Sequence, residues 1–366
     1  MSFYEVLRAR AGRAAGLIAS AAETDVLRAL SEENPNEAAF RALLSPAAVP
    51  RLETMARRAG ELTARHFGRT VSLYAPLYLG NYCENECVYC GFRHSGAMER
   101  RKLSYAEVEE EGRALADSGI RHALLLTGES RVQTPVEYIG ACAGILKERF
   151  GSVSVEVYPL ETAEYAELVR AGADGLTLYQ ETYDETLYAR LHRAGPKRDF
   201  RYRLDAPERA CRGGMRAVGV GALLGLADFR REVFFAGLHA DYLQRAYPAA
   251  EISVSLPRFR PQGVGFAPGA RVSNRDLVQA MTALRLFLPR AGITVSTREP
   301  AALRRNLVGL GVTRMSAGSR TGVGGYAAEE KSPGQFSVAD SSGVEEVKAM
   351  IRKRGFHPVM KDWQTF

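Results

Sequence analysis

Three of the five cysteines fall within eight residues, spaced C-x3-C-x2-C in Asn81-Tyr82-Cys83-Glu84-Asn85-Glu86-Cys87-Val88-Tyr89-Cys90-Gly91-Phe92. Three thiolates on one short loop can converge on a single centre, and soft sulfur ligands favour iron–sulfur clusters, zinc or copper(I). A four-iron cluster held by three cysteines keeps one iron open, and an open iron is where chemistry can occur. The alternative is a structural zinc with His94, four residues after Cys90, as fourth ligand. Zinc sites usually pair a C-x2-C with a second, distant pair. Cys142 and Cys211 stand alone and offer none.

The elements that must position this loop follow from periodicity. The apolar, aromatic run Val71–Leu79 reads as a buried strand, so the cysteines lie just past a strand's C-terminal end. From there strand candidates alternate with amphipathic helical segments. The strands are expected at Ser72–Leu79, His122–Thr127, Val153–Tyr158, Gly175–Gln180, Met215–Gly221, Glu251–Leu256, Ile293–Thr297 and Val312–Ser316. Helices are expected between them, among them Ser104–Ser118, Asp228–Tyr247 and Ser273–Ala291. Eight βα units predict an α/β fold, a (β/α)8 barrel of the TIM type over residues 71–319, with functional side chains at the strand C-terminal ends. An incomplete six-stranded barrel is the second choice. Residues 1–70 read as a helical extension, with helices over Phe3–Ala15, Glu23–Leu30, Asn36–Leu44 and Arg51–His66 and caps at Asp25 and Asn36. Residues 320–366 read as a tail packing on the barrel. Its glycine-rich Thr321–Tyr326 lacks the Lys-Ser/Thr of a phosphate loop, and its Trp363 is expected to anchor the chain end.

Composition narrows the class. The 366 residues are 46% hydrophobic and 25% charged, ordinary globular values. No run of about 18 apolar residues suggests a membrane span, and the N-terminus lacks a signal peptide's apolar core. Five cysteines, three of them clustered, argue against a disulfide scaffold and for a reducing, cytoplasmic setting. The net charge is +7 without a compact basic tract interleaved with aromatics, so nucleic-acid binding is not expected. A zinc-stapled nucleic-acid-binding protein is nevertheless the reading that the thiols and the basic surplus leave beside an enzyme. A basic surface also suits an acidic electron donor.

Most of the expected strand ends carry polar residues or glycines: Thr127-Gly128-Glu129, Glu156, Gln180-Glu181, Arg258 with Arg260, Arg298 and Ser316. Gly128 permits close backbone approach. An arginine at a barrel mouth suits a bidentate grip on a carboxylate, and Ser316 could donate a second hydrogen bond to it.

The cysteine spacing, with Tyr89 before the last Cys, resembles the signature of radical S-adenosylmethionine (SAM) enzymes. Together with Leu126-Thr127-Gly128-Glu129, Tyr179-Gln180-Glu181-Thr182-Tyr183, Gly221–Leu226, Ser296-Thr297-Arg298-Glu299, Gly324-Gly325-Tyr326 and Lys361-Asp362-Trp363, it is similar to the aromatic-amino-acid lyases of that family over nearly the whole chain. The resemblance implies a [4Fe–4S] cluster on Cys83, Cys87 and Cys90, and SAM chelated to the open iron. It implies a SAM site using Tyr89, Gly128 and Glu129 beside the amino group, and Glu156. Glu181 would take the ribose, Arg203 (or its rival Arg201) the carboxylate, and Leu223 would lie beside the adenine. Arg298 and Ser316 would hold an amino-acid substrate. The implied reaction is cleavage of the Cα–Cβ bond of L-tyrosine to 2-iminoacetate and 4-methylphenol, with methionine and 5′-deoxyadenosine formed, for the thiazole ring of thiamine. The implied partners are a flavodoxin or ferredoxin as electron donor and the thiazole synthase ThiG. A relative acting on tryptophan or another amino acid remains open. The related tyrosine lyases of hydrogenase maturation carry further cysteines for a second cluster, whereas the last cysteine here is Cys211.

Overall fold

The computed structural model describes residues 2–261, 265–327 and 334–361. Eight parallel strands close into a barrel: β1 (Thr70–Gly80), β2 (His122–Thr127), β3 (Ser152–Glu156), β4 (Gly175–Thr177), β5 (Ala217–Gly221), β6 (Glu251–Ser255), β7 (Gly292–Val295) and β8 (Arg314–Ser316). Each strand pairs with the next in sequence. β1 seals the ring by pairing with β2 from Ala75 onward and with β8 at Ser72–Tyr74. The last two units thus complete the ring, which excludes the six-stranded alternative. All eight expected strands are present, with ends shifted by at most three residues.

A ninth strand, β9 (His357–Val359), was not expected. It pairs in parallel with Thr70–Ser72, on the edge of β1 that β2 takes higher up, and so lengthens the barrel wall below β2. Two short helices, Phe200–Leu204 and Ala206–Arg212, fill the β4–β5 connection.

The barrel interior is hydroxyl-rich. Tyr74, Ser154, Thr177, Tyr179 and Ser255 face it, and His122 Nε2 lies 2.9 Å from Ser154 Oγ. Side chains alternate along a strand, so Glu156 points inward one layer above Ser154. The apolar alternates point outward and pack under the helices.

The N-terminal residues join the same hydrophobic core as the barrel. Phe40 stacks on Phe287 at 4.3 Å, and Gln279 Nε2 donates to the Leu43 and Ser45 carbonyls at 3.0 and 2.8 Å. The first expected helix is two, Phe3–Ala11 and Ala14–Ala19, because the chain turns at Gly12-Arg13. Asn36 caps its helix as expected, accepting from the Ala38 and Ala39 N–H groups. Asp25 does not. It lies inside the first turn and accepts from the Ala22 N–H at 3.0 Å, so the helix starts after Ala22. Asp362 and Trp363 lie outside the described residues.

The tail returns to the top of the barrel. Val323 and Gly324 run beside the end of β1, and the Tyr326 hydroxyl donates to the Pro76 carbonyl at 2.7 Å. The glycine-rich loop therefore serves strand pairing. Further along, the Ala339 N–H donates to the Thr297 carbonyl at 2.9 Å, and buried Asp340 pairs with buried Arg304. This brings Gln335 and Phe336 over the mouth.

Candidate active site

β1 delivers Cys83, Cys87 and Cys90 at the top of the barrel. Cys87 is buried, whereas Cys83 and Cys90 are half-exposed. The loop is tied down by its own backbone. The Glu84 N–H donates to the Glu129 carbonyl at 2.8 Å, the Val88 N–H to the Leu191 carbonyl at 3.0 Å, and Glu86 exchanges bonds with Arg193 and Ala194 at 3.0 Å. Asn85, 1% exposed, is its hub. Its Oδ1 accepts from the Lys197 N–H at 2.8 Å, and its Nδ2 donates to Glu129 Oε2 at 2.6 Å and lies 3.8 Å from Cys83 Sγ. Gln335 Nε2 lies 3.9 Å from Cys90 Sγ. Burial pushes the Cys87 thiol up, and burial followed by Cys83 does the same to Cys90. Thiolates here need a bound cation to hold them.

As placed, the side chains do not gather around a single zinc. At about 2.3 Å from each sulfur, a tetrahedral zinc would hold thiolates about 3.8 Å apart. Among the described residues, no group of three His, Cys, Asp or Glu side chains is placed to hold one ion. His94 Nδ1 instead faces the Cys83 carbonyl at 3.3 Å.

Beside the loop, the end of β2 packs against it. A Cβ on Gly128 would lie 2.2 Å from the Tyr82 carbonyl oxygen and 3.2 Å from Cys83 Cβ. The close approach that glycine allows here is therefore to the cysteine loop. Gly128→Ala is expected to lower stability by about 1–3 kcal/mol and to displace the loop. Thermal melting and the alkylation rates of Cys83 and Cys90 would check this. An unchanged melting temperature with unchanged rates would contradict it. Thr127 Oγ1, next to Gly128, is buried without a hydrogen-bond partner among the described residues, although its hydroxyl could both donate and accept.

After β4 the chain reaches Glu181, which among the described residues is the non-glycine residue with positive φ, at 71°. Such a conformation costs about 1–3 kcal/mol and is kept where the surroundings impose it. Its Oε1 accepts from Lys197 Nζ at 2.7 Å and lies 3.5 Å from Arg203 Nη2. Its Oε2 has no protein partner among the described residues. Burial alone would raise the Glu181 carboxyl, but Lys197 and Arg203 more than offset it and hold it below the ordinary value. Arg203 is buried, and its Nε donates to the Tyr179 carbonyl at 2.8 Å. Arg201 lies on the outer surface, against Asp205 and the Tyr4 ring. The structure thus brings Arg203, and not Arg201, to the site. Tyr89 is buried, its hydroxyl 2.8 Å from His192 Nε2, and with Leu223 it packs around Cys87.

On the opposite wall Arg298 lies flat on the Phe336 ring, 3.4 Å from its centroid. The competing partner, Glu299, is taken by Arg258, which binds it through Nε and Nη2. Arg260 braces the same turn, donating to the Arg298 carbonyl at 2.7 Å. Ser316 Oγ accepts from the Thr297 N–H at 3.0 Å and pairs with Tyr74, so it fixes the turn that carries Arg298. Glu156 has no hydrogen-bond or ion-pair partner among the described residues, and burial, then repulsion from Glu181, raises its carboxyl to about 7.

The expected residues therefore stand in two groups around one mouth. The thiols, Tyr89, Gly128, Glu129, Glu181, Arg203 and Leu223 form one, and Arg298 and Ser316 the other, with Glu156 between. Lys197, Asn85, His192, Gln335 and Phe336 were missed. Lys197 follows a Gly-Pro turn and Gln335 lies in the tail, and neither carries a local pattern that marks a site.

A closed parallel barrel with three cysteines past β1 and an ion-paired glutamate past β4 defines a class. Residues 77–233 match the Radical SAM superfamily, and residues 255–357 match the Biotin and Thiamin Synthesis associated domain. The chain is 42% identical to the 2-iminoacetate synthase of Escherichia coli (strain K12), over 93% of this chain and 91% of that one. It is 39% identical to the 2-iminoacetate synthase of Salmonella typhimurium over the same shares. The solved structure of the FeFe-hydrogenase maturase HydG from Carboxydothermus hydrogenoformans superposes with a TM-score of 0.83 at 30% identity, covering 97% of this chain and 82% of that one. The protein is a radical SAM enzyme. The chain belongs to the 2-iminoacetate synthase family.

Membership implies a [4Fe–4S] cluster and SAM. The donor set fits both: three thiols with amide N–H groups beside two of the sulfurs, and a carboxylate oxygen of Glu181 left over. No helix among the described residues is long and apolar enough to cross a membrane.

Proposed function

We propose that this enzyme cleaves the Cα–Cβ bond of L-tyrosine to 2-iminoacetate and 4-methylphenol, as a step toward the thiazole of thiamine. The observation that carries the substrate class is Arg298, an inward, half-buried guanidinium that stacks on Phe336 and has no carboxylate partner among the described residues. Burial pushes Arg298 below its ordinary value, with Tyr78, Glu156 and Tyr179 offsetting part of this. A substrate carboxylate would relieve that penalty, and the planar fork would fix its orientation.

Cys83, Cys87 and Cys90 hold the cluster in this reading. Bound together, cluster and SAM supply a one-electron reagent that removes a hydrogen atom. Thr127, Gly128 and Glu129 line the place for the SAM amino group. Glu181 Oε2 accepts from the ribose, Arg203 meets the carboxylate, and Leu223 flanks the adenine. Tyr89 walls off Cys87 and keeps His192 in place. The barrel mouth and the returning tail exclude water, which protects a reactive intermediate. Residues 71–319 serve as the catalytic barrel, with 1–70 and 320–366 as buttresses.

Lys197 enters this reading as the residue that aims Glu181. Replacement by Met removes one charge-assisted bond, so SAM affinity is expected to fall on the order of ten- to a hundredfold. Equilibrium binding of SAM would measure it. Unchanged affinity would remove Glu181 and Lys197 from the cofactor site.

Two partners complete the proposal. A low-potential donor of the flavodoxin or ferredoxin type matches the surplus of positive charge. The thiazole synthase ThiG would take 2-iminoacetate before water hydrolyses it. The test is an anaerobic assay of the iron-reconstituted protein with SAM, dithionite and L-tyrosine. Mass spectrometry is expected to find 5′-deoxyadenosine, 4-methylphenol and glyoxylate. Deoxyadenosine without 4-methylphenol would move the substrate to tryptophan or another amino acid.

A further inference from the structure

Glutamates stand at or just past the ends of β2, β3, β4 and β7. Three have partners: Glu129 accepts from Asn85 at 2.6 Å, Glu181 pairs with Lys197 and Arg203, and Glu299 with Arg258. Glu156 has none among the described residues, and it is not in the loop that carries the thiols. A carboxylate kept in the interior without a cation or a donor is costly, so its place calls for a ligand.

The ring order says which end of the ligand. Strands run β1 to β8 around the barrel, so β3 and β7 stand four apart in either direction and face each other. Glu156 ends β3, and Arg298 lies just past β7. Tyr74, Tyr78 and Tyr179 lie between, each within the field of Glu156. If Arg298 holds the substrate carboxylate, the amine is attached to the same carbon and stays on the β7 side. What reaches the β3 wall is the far end of the side chain.

We infer that Glu156 accepts a hydrogen bond from the phenolic hydroxyl of the substrate and is the residue by which the enzyme selects tyrosine over phenylalanine. This rests on the tyrosine reading above and gives Glu156 a substrate contact in place of the cofactor contact that the family resemblance implies. A site built around an acceptor rejects the analogue that lacks the hydroxyl, because the buried acceptor is then left unpaired. No bond is made or broken in this contact.

The experiment compares wild type, Glu156→Gln and Glu156→Ala, each iron-reconstituted. Dissociation constants of L-tyrosine and L-phenylalanine are measured by calorimetry in the presence of SAM without reductant, and kcat/KM for both with dithionite. Glu156→Ala is expected to lose about a hundredfold toward tyrosine while phenylalanine changes less than about threefold. Glu156→Gln keeps an acceptor without its charge and is expected to lose about tenfold. SAM affinity is expected to stay constant. An equal loss for both amino acids would place Glu156 on the ammonium group or in a purely structural role. A loss of SAM affinity with the tyrosine-to-phenylalanine ratio unchanged would return Glu156 to the cofactor. Either result overturns the inference. A wild type that forms deoxyadenosine but no 4-methylphenol overturns the tyrosine reading itself.

Discussion

Serine at Cys87 is expected to leave a folded barrel that no longer cleaves SAM. Cys87 is 4% exposed and packs with Tyr89, Leu191, Leu223 and Leu226. A hydroxyl is a poor ligand for iron, and burying it there costs about 1–3 kcal/mol. The loop keeps its backbone bonds to Leu191 and Glu129, so the fold should survive. Reconstituted iron and the associated visible absorbance should drop, and deoxyadenosine formation should fall on the order of a thousandfold or more. Cys211→Ser is the control: half-exposed Cys211 lies on the Ala206–Arg212 helix, outside the loop, and its variant should keep both. SAM cleavage by Cys87→Ser with Cys83 and Cys90 intact would contradict the assignment of the three thiols.

The second large effect lies across the mouth. Arg298→Met should reduce kcat/KM for the amino acid on the order of a hundred- to a thousandfold, the usual scale for truncating one partner of a buried, hydrogen-bonded charge pair. Slow SAM cleavage without substrate should be little changed, because Arg298 makes no hydrogen bond or ion pair to the thiols, Glu181 or Arg203. Arg298→Lys should recover only part of the loss. An ammonium keeps the charge but neither the planar fork nor the stack on Phe336. Equal losses with and without substrate would mean that the turn at Thr297–Glu299 had collapsed.

The sequence carried more of the fold than of the site. Apolar positions separated by helical periodicity located all eight barrel strands, even where, as in Ser152–Glu156 and Glu251–Ser255, the inward positions carry hydroxyls and only the outward ones are apolar. β9 escaped, since His357–Val359 is short, includes a proline and has no alternation. The Phe200–Leu204 helix escaped for a similar reason, and with it the decision between Arg203 and Arg201, which depends on which side of one turn faces the barrel. Residue type alone singled out Cys83, Cys87, Cys90 and Arg298, and the structure places all four around the barrel mouth. Partnership was not legible. Lys197 meets Glu181 from sixteen residues away, Gln335 meets Cys90 from the far end of the chain, and Arg258 takes Glu299 from Arg298. Such pairings are set by tertiary placement, and no local spacing encodes them. The missing Cβ of Gly128 also makes room for Tyr82, a packing need that no local spacing announces.

The bonds that hold the cysteine loop run through Glu84, Asn85, Glu86 and Val88, to Glu129, Arg193, Ala194, Leu191 and Lys197. None of those bonds passes through a sulfur, so each can form whether or not the thiols carry a cluster. Iron–sulfur centres are corroded by air, and in many proteins losing the metal means losing the fold. Here the damage should stay local. A corroded copy would remain a recognisable vessel, open to refilling by the cell's iron–sulfur delivery chemistry instead of being marked for destruction.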